Sequence, residues 1–293
     1  MAYLLNGTNL NTYGIVPGHG DGNISLSGCF NLPSRSGKCF HSWSDSDSIE
    51  PYVASGDIFF EGRDITFSGS IQGTNSVITA YLKSLYDAIG AFSGLVTFAT
   101  PYGSFSVYVK SVTPEMLNGG AKIQIVFREP VVTLTGTLPA VGSSNYTIDA
   151  IPFSSFGLYL SKAEALHDLP ELKEQFFTIY GSEGYQIVKR HNKTLDFNGF
   201  ITGISLANFQ SKVSALYKLF SSAGTRNIKI NDEINADCFA TEGFKIDNIY
   251  LYNNLMIANF TMSLLCVNVN YLNYLLTEAS AYVLTENSEY ILI

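Results

Sequence analysis

The sequence predicts a mainly β (α+β) fold: two tandem antiparallel β-sandwich or partial-barrel domains, each flanked by one amphipathic helix. Three observations predict it. Short motifs recur in the same order in both halves of the chain. Each half holds one segment with helical apolar spacing. The segments around that helix alternate apolar and polar residues, the period of half-buried antiparallel strands. One helix among strands buries a single stripe against a sheet, which makes each half an α+β unit.

The first half opens on Leu5-Asn6-Gly7-Thr8-Asn9, followed by Tyr13-Gly14-Ile15. The second opens on Ile148-Asp149-Ala150-Ile151-Pro152, followed by Phe156-Gly157-Leu158, 143 residues further on. Leu32-Pro33 recurs as Leu169-Pro170. Ile65-Thr66-Phe67-Ser68-Gly69-Ser70-Ile71 matches Leu195-Asp196-Phe197-Asn198-Gly199-Phe200-Ile201 at an offset of 130, so loops differ in length while elements persist. Ile78, Leu82, Leu85 and Ile89 are spaced 4, 3 and 4, as are Phe209, Val213, Leu216 and Phe220. These eight residues form the expected helix core, with helices near 75–90 and 206–221. Glycines at the ends (Gly90 or Gly94; Gly224) are the expected stops. Alternating strands follow at Val107 and Val109, then Ile123, Ile125 and Phe127; the second half repeats them at Phe244 and Ile246, then Ala258, Phe260 and Met262. A Thr-, Gly-, Pro-, Ala- and Ser-containing stretch, 131–144, connects the halves. The expected units are residues 1–138, residues 139–266 and a C-terminal segment, residues 267–293.

In that last segment Tyr274-Leu275-Leu276-Thr277-Glu278, Tyr282-Val283-Leu284-Thr285-Glu286 and Tyr290-Ile291-Leu292 recur with a period of eight. Four β-favouring residues followed by four turn-favouring ones predict short strands joined by tight turns. So small a sheet is marginal alone. Tyr274, Leu276, Tyr282, Leu284, Tyr290 and Ile291 are therefore expected to dock on a neighbouring subunit or an adjacent protein.

Composition narrows the function. Of 293 residues 46% are hydrophobic, and the mean hydropathy is +0.14, which excludes a disordered chain. Only 14% are charged, against about 25% in an average soluble domain, so faces buried against other subunits are expected. Lys and Arg number 17 against 25 Asp and Glu, a net charge of −8. Such a surface is a poor nucleic-acid clamp, because phosphate binding rests on Lys and Arg. It suits a wall past which nucleic acid slides. No apolar run approaches the ~18–20 residues of a membrane span, so no membrane insertion is expected. The opening residues lack the basic and long apolar stretches of a signal peptide, and folding in a cytoplasm is expected. Cys29, Cys39, Cys238 and Cys266 show no CxxC spacing and read as buried free thiols.

No catalytic signature emerges. Gly18-His19-Gly20-Asp21-Gly22 is followed by no GK[ST] and reads as a flexible glycine-rich loop. Asp45-Ser46-Asp47-Ser48-Ile49-Glu50 lacks the glycine and terminal glutamate of a calcium loop and reads as solvated. His19, His41, His167 and His191 are scattered, with no zinc spacing and no HExxH. His41 and Ser42 lie in nothing like GxSxG. One Trp is little to line a sugar cleft, and no feature promotes a particular carboxylate pair. No enzyme, cofactor or metal is expected.

Several of these residues, taken in order, resemble a known family. They are the Asn6-Gly7-Thr8-Asn9 strand, the Tyr13-Gly14 step, Leu32-Pro33-Ser34-Arg35-Ser36-Gly37-Lys38, His41-Ser42-Trp43 and Arg63-Asp64-Ile65-Thr66-Phe67-Ser68-Gly69, then a helix and paired strands. Together they resemble the distal tail proteins of long-tailed phages, whose N-terminal domain is like the tail-tube protein. The resemblance covers residues 1–130 and, through the duplication, 148–265. The Tyr-Leu-Leu-Thr-Glu ending is similar to terminal repeats of phage structural proteins. The resemblance implies a tail-tube-like fold whose copies join edge to edge into a homo-oligomeric ring around a lumen for DNA. It implies tail-tube and baseplate or tail-tip proteins as partners, DNA only as passing cargo, and assembly in the host cytoplasm into the virion tail. The common second part is a carbohydrate-module-like domain; here a second tube-like copy stands in its place. That arrangement resembles the central hub proteins of contractile tails, in which three chains supply six domains, and leaves trimer and hexamer both open. Competing readings are a tail-tube or terminator subunit, a secreted carbohydrate-binding β-sandwich, and a hydrolase.

Overall fold

Asn6 and Gly7 both take positive φ (48° and 80°), as a two-residue type I′ hairpin turn requires. In the computed structural model, which describes residues 2–43, 46, 48–164, 170–179, 181–231 and 234–268, that turn joins β1 (Leu4–Leu5) to β2 (Thr8–Asn9). A single 3-10 turn follows, closed by Gly14 in the left-handed region (φ 67°), and leads into β3 (Ile15–Pro17). Next come β4 (Leu26–Ser27), the hairpin β5 (Phe40–Ser42) and β6 (Ile49–Pro51), and the long β7 (Arg63–Gln72). Then follow α1 (Asn75–Gly90), β8 (Val96–Thr100), β9 (Gly103–Leu117) and β10 (Gly120–Glu129).

The second half repeats this order. β11 (Tyr146–Ile148) turns into β12 (Ile151–Pro152) through Asp149 and Ala150, again both at positive φ (50° and 59°). A 3-10 turn closed by Gly157 (φ 72°) leads into β13 (Leu158–Glu164). The hairpin β14 (Leu172–Ile179) and β15 (Ser182–Arg190) stands where β5–β6 stands in the first half. Then come β16 (Thr194–Gly203), α2 (Leu206–Ser221), β17 (Arg226–Ile230), β18 (Ile234–Phe239), β19 (Phe244–Tyr252) and β20 (Leu255–Cys266).

Among the described residues the strands form two curled antiparallel sheets, ordered β2-β1-β8-β9-β10-β7-β3 and β12-β11-β17-β18-β20-β16-β13. Strand for strand the two orders correspond. The long β9 pairs with β8 through its first part and with β10 through the rest; in the second half β18 and β19 divide those roles. Central strands alternate as the sequence does: Ile65, Phe67 and Ile71 of β7 are buried, as are Leu195, Phe197 and Ile201 of β16. The fold is mainly β, with each half a curled sheet carrying one helix. One continuous apolar core runs through both halves, from Tyr3 to Cys266.

Some local expectations need correction. Gly90 is the last residue of α1 rather than a stop beyond it, and Ala91 caps the helix in a right-handed conformation. The loop 18–22 is not loose. Gly18 N–H donates to Ser68 O, Gly20 N–H donates to Ile24 O, and Asp21 bridges Ile24; Asp21 Oδ1 also accepts from Asn248 N–H of the second half. Leu169, of the Leu169–Pro170 match to Leu32–Pro33, lies outside the described residues.

Candidate assembly surface

The two halves meet through different surfaces of the same topology. From the first half comes the segment 20–35, which lies along the outer edge of β19. Leu32 N–H donates to Phe244 O (3.0 Å) and Asn23 N–H to Ile249 O (2.9 Å). Where the loop backbone cannot follow the strand, side chains replace it. Asn31 Oδ1 accepts from Ile246 N–H (2.8 Å), and Asp21 Oδ1 accepts from Asn248 N–H (2.6 Å). Asn23 accepts from Leu251 N–H and donates to Leu251 O, both at 2.8 Å, as a paired strand residue would. An edge strand presents a row of unpaired donors and acceptors; here the first half satisfies them. Gly243 has a special place in this contact, because a Cβ there would overlap the Leu32 carbonyl.

Beneath this edge sits a buried ionic cluster. Arg63 opens β7 and Glu129 ends β10, and the two are register partners. Arg63 Nε donates to Glu129 Oε2 at 2.7 Å. Its Nη1 donates to Tyr217 OH of α2 (2.7 Å) and Asn31 O (3.0 Å). The guanidinium also lies over the Phe105 and Tyr217 rings. Burial works against the Arg63 charge, but Tyr217 and Glu129 outweigh it and its pKa is raised. Burial pushes the Tyr217 hydroxyl and the Cys29 thiol up to about 12, so both are neutral near pH 7. A charged pair whose guanidinium is wrapped in neutral acceptors and aromatic rings holds two elements together and offers no activated nucleophile.

The helices show the asymmetry that follows. Ile78, Leu82 and Leu85 of α1 are buried, whereas Ile89, in the last turn at the rim of the sheet, is only half-buried. Phe209, Val213, Leu216 and Phe220 of α2 are all buried, and so are Ala215, Tyr217 and Leu219. The extra coverage comes from the first half. Phe30 packs on Phe209 (5.2 Å between ring centres), Gln210 donates to Tyr102 O, and the connection between the halves crosses α2 at Leu134 and Gly136. The matching face of α1 is open: Tyr86, the counterpart of Tyr217, is 44% exposed against 7%. Lys83 and Asp87 form an exposed ion pair beside it. The edge of β9 is blunted. Pro114, opposite Ile123 and Gly69, stands where Ile246 stands opposite Phe260 and Gly199, and proline has no N–H to offer there.

The sequence-predicted docking residues Tyr274, Leu276, Tyr282, Leu284, Tyr290 and Ile291 lie outside the described residues. The cysteines are free and buried. Among the described residues no group of three His, Cys, Asp or Glu could hold a metal, and no helix is long and apolar enough to cross a membrane. His41 packs edge-on against Trp43 (4.2 Å). Arg63 and Glu129 were not singled out from sequence, yet a signal exists. Arg63 shares the parity of Ile65, Phe67 and Ile71, and Glu129 that of Phe127, Ile125 and Ile123, so both continue an inward-facing row.

No protein-family model matches the chain, and no curated protein matches it. Among solved structures the chain is similar to the Dit protein of SPP1, described as a paradigm of the hub adsorption apparatus in phages infecting Gram-positive bacteria. That likeness covers 89% of this chain and 98% of the other at 15% identity, with a TM-score of 0.35.

Proposed function

We propose that this chain is a structural, non-catalytic virion protein at the distal end of a phage tail, forming a homo-oligomeric ring that joins the tail tube to baseplate or receptor-binding parts and lets DNA pass. The observation that carries the ring is the unequal coverage of two equivalent helices: α2 is sealed by the first half, and the same face of α1 is open. Contacts between unlike surfaces of equivalent units are heterologous, and they close into rings when the rotation allows. In this reading the second half of one copy covers α1 of the next. The low charge and net charge of −8 fit large interfaces and a lumen that does not retain DNA. The tail assignment draws on the sequence resemblance over residues 1–130 and 148–265.

The test is the solution mass by light scattering, with negative-stain imaging, of the wild type and of Tyr86→Glu. Rings with a central hole are expected for the wild type. Smaller species with an unchanged circular dichroism spectrum are expected for the variant. A wild type that stays monomeric at high concentration would overturn the ring. A Tyr86→Glu protein that still forms rings would overturn the assignment of the α1 face.

A further inference from the structure

Two of the four thiols are neighbours. Cys238 of β18 and Cys266 of β20 are register partners, with Sγ atoms 3.4 Å apart. Val267 N–H donates to Asp237 O, one step along the ladder. Cys238 and Cys266 therefore form a non-hydrogen-bonded pair, the position where antiparallel Cα atoms come closest, near 4.5 Å. That spacing is within the ~4.4–6.8 Å range that a disulfide spans. Both residues are buried (0% and 2% exposed).

We propose that Cys238 and Cys266 are a latent disulfide, oxidised within the folded chain by low-molecular-weight disulfides to lock the end of β20 onto β18. The inference is independent of what the chain assembles into. Cys266 is the attacking sulfur. The two thiols share one hydrogen bond in which either can donate; with Cys238 as donor, the pKa of Cys266 is lowered against the effect of burial, Lys193 adding to the effect, and that of Cys238 is raised. Cys266 also ends its strand, where an oxidant gains access through a local opening that breaks only the Cys266 N–H to Lys193 O bond and the bonds of Val267 to Asp237 and Ile49. The Cys266 thiolate attacks one sulfur of glutathione disulfide, and one glutathione thiolate leaves. Cys238 then gives up its proton and attacks the Cys266 sulfur, and the second glutathione leaves. Two protein thiols are oxidised and one disulfide is reduced to two thiols.

The position gives the link a consequence. The hairpin β5–β6 seats on this end of the second half: Ile49 N–H donates to Val267 O, and Cys39 and Ile49 pack with Phe239 and Leu265 in a small separate core. A covalent tie between β18 and β20 stiffens the platform under that hairpin. The bridged loop is of intermediate length, for which a disulfide restricts the unfolded chain appreciably.

The test incubates the folded full chain with glutathione disulfide and, separately, with the smaller oxidant diamide. Thiols are then counted under denaturing conditions and the linked peptides mapped by mass spectrometry. The expected result is a fall from four free thiols to two, with one cross-linked peptide pair containing residues 238 and 266. Melting should rise by about 5 °C, reversibly on adding dithiothreitol. Cys29→Ala should oxidise as the wild type does, and Cys266→Ser should not. Four thiols remaining after both oxidants, or a link through Cys29 or Cys39, would overturn the proposal.

Discussion

Replacing Glu129 by leucine removes one member of a buried ion pair and leaves the other. Both side chains are 8% exposed, and the Nε–Oε2 separation is 2.7 Å. Without the carboxylate, the Arg63 guanidinium keeps only neutral acceptors, Asn31 O and Tyr217 OH. Breaking a buried pair from one side costs about 3–5 kcal/mol, because an uncompensated charge stays inside. The two remaining hydrogen bonds and the aromatic rings argue for the lower end, about 3 kcal/mol. That is a large share of a stability on the order of 5–15 kcal/mol. Replacing both partners, Arg63→Met with Glu129→Leu, removes the stranded charge, so the double variant should lose less than the two single losses combined. The expected coupling is about 1–3 kcal/mol. The assay is urea unfolding followed by far-ultraviolet circular dichroism, with one transition expected because one core spans both halves. A loss under about 1 kcal/mol for Glu129→Leu, or strict additivity in the cycle, would refute the idea that this pair ties β7 and β10 to α2.

Other consequences are as direct. Gly243→Ala must displace Leu32 from the edge of β19, and a loss of about 1–3 kcal/mol in urea unfolding is expected; an unchanged midpoint would mean the contact is soft. Ala150 holds a left-handed backbone (φ 59°) that costs a residue with a Cβ roughly 1 kcal/mol, so Ala150→Gly should stabilise by up to about that much, with unaltered hairpin contacts. Leu216→Ala should cost ~2–5 kcal/mol by leaving a cavity, whereas Ile89→Ala at the rim should cost less than about 2 kcal/mol; equal losses would contradict the difference in burial. Burial raises the pKa of Asp21 above 3.8, the Asn248 N–H opposing and Asp247 adding to it. One carboxylate oxygen, Oδ2, is buried without a partner. A raised carboxylate stabilises the fold fully below its ordinary pKa and loses that contribution as pH rises through the raised value. The melting temperature of the wild type should therefore gain on that of Asp21→Asn as pH falls from neutral towards 4; a constant difference would contradict it.

What the sequence determined by itself is local and periodic. The 4, 3, 4 apolar spacing fixed helices at 75–90 and 206–221, since an amphipathic stripe needs only its own residues to be recognised. The Asn6-Gly7 turn and the left-handed steps at Gly14 and Gly157 are likewise set by their own backbone preferences. Parity along β7 and β16 settled which side chains turn inward. Only the tertiary structure decided which outward surfaces are covered. Tyr86 and Tyr217 occupy equivalent helical positions in equivalent halves, yet one is open and the other donates its hydroxyl to a buried cluster. Asn23 completes the edge at Leu251 across 228 residues of chain, and Arg63 reaches Tyr217 across 154. The Cys238–Cys266 pair depends in the same way on the register of two strands. Periodicity encodes the inward face of an element because that face is defined within a few residues. What covers the outward face depends on how remote elements pack, and no local spacing carries that information.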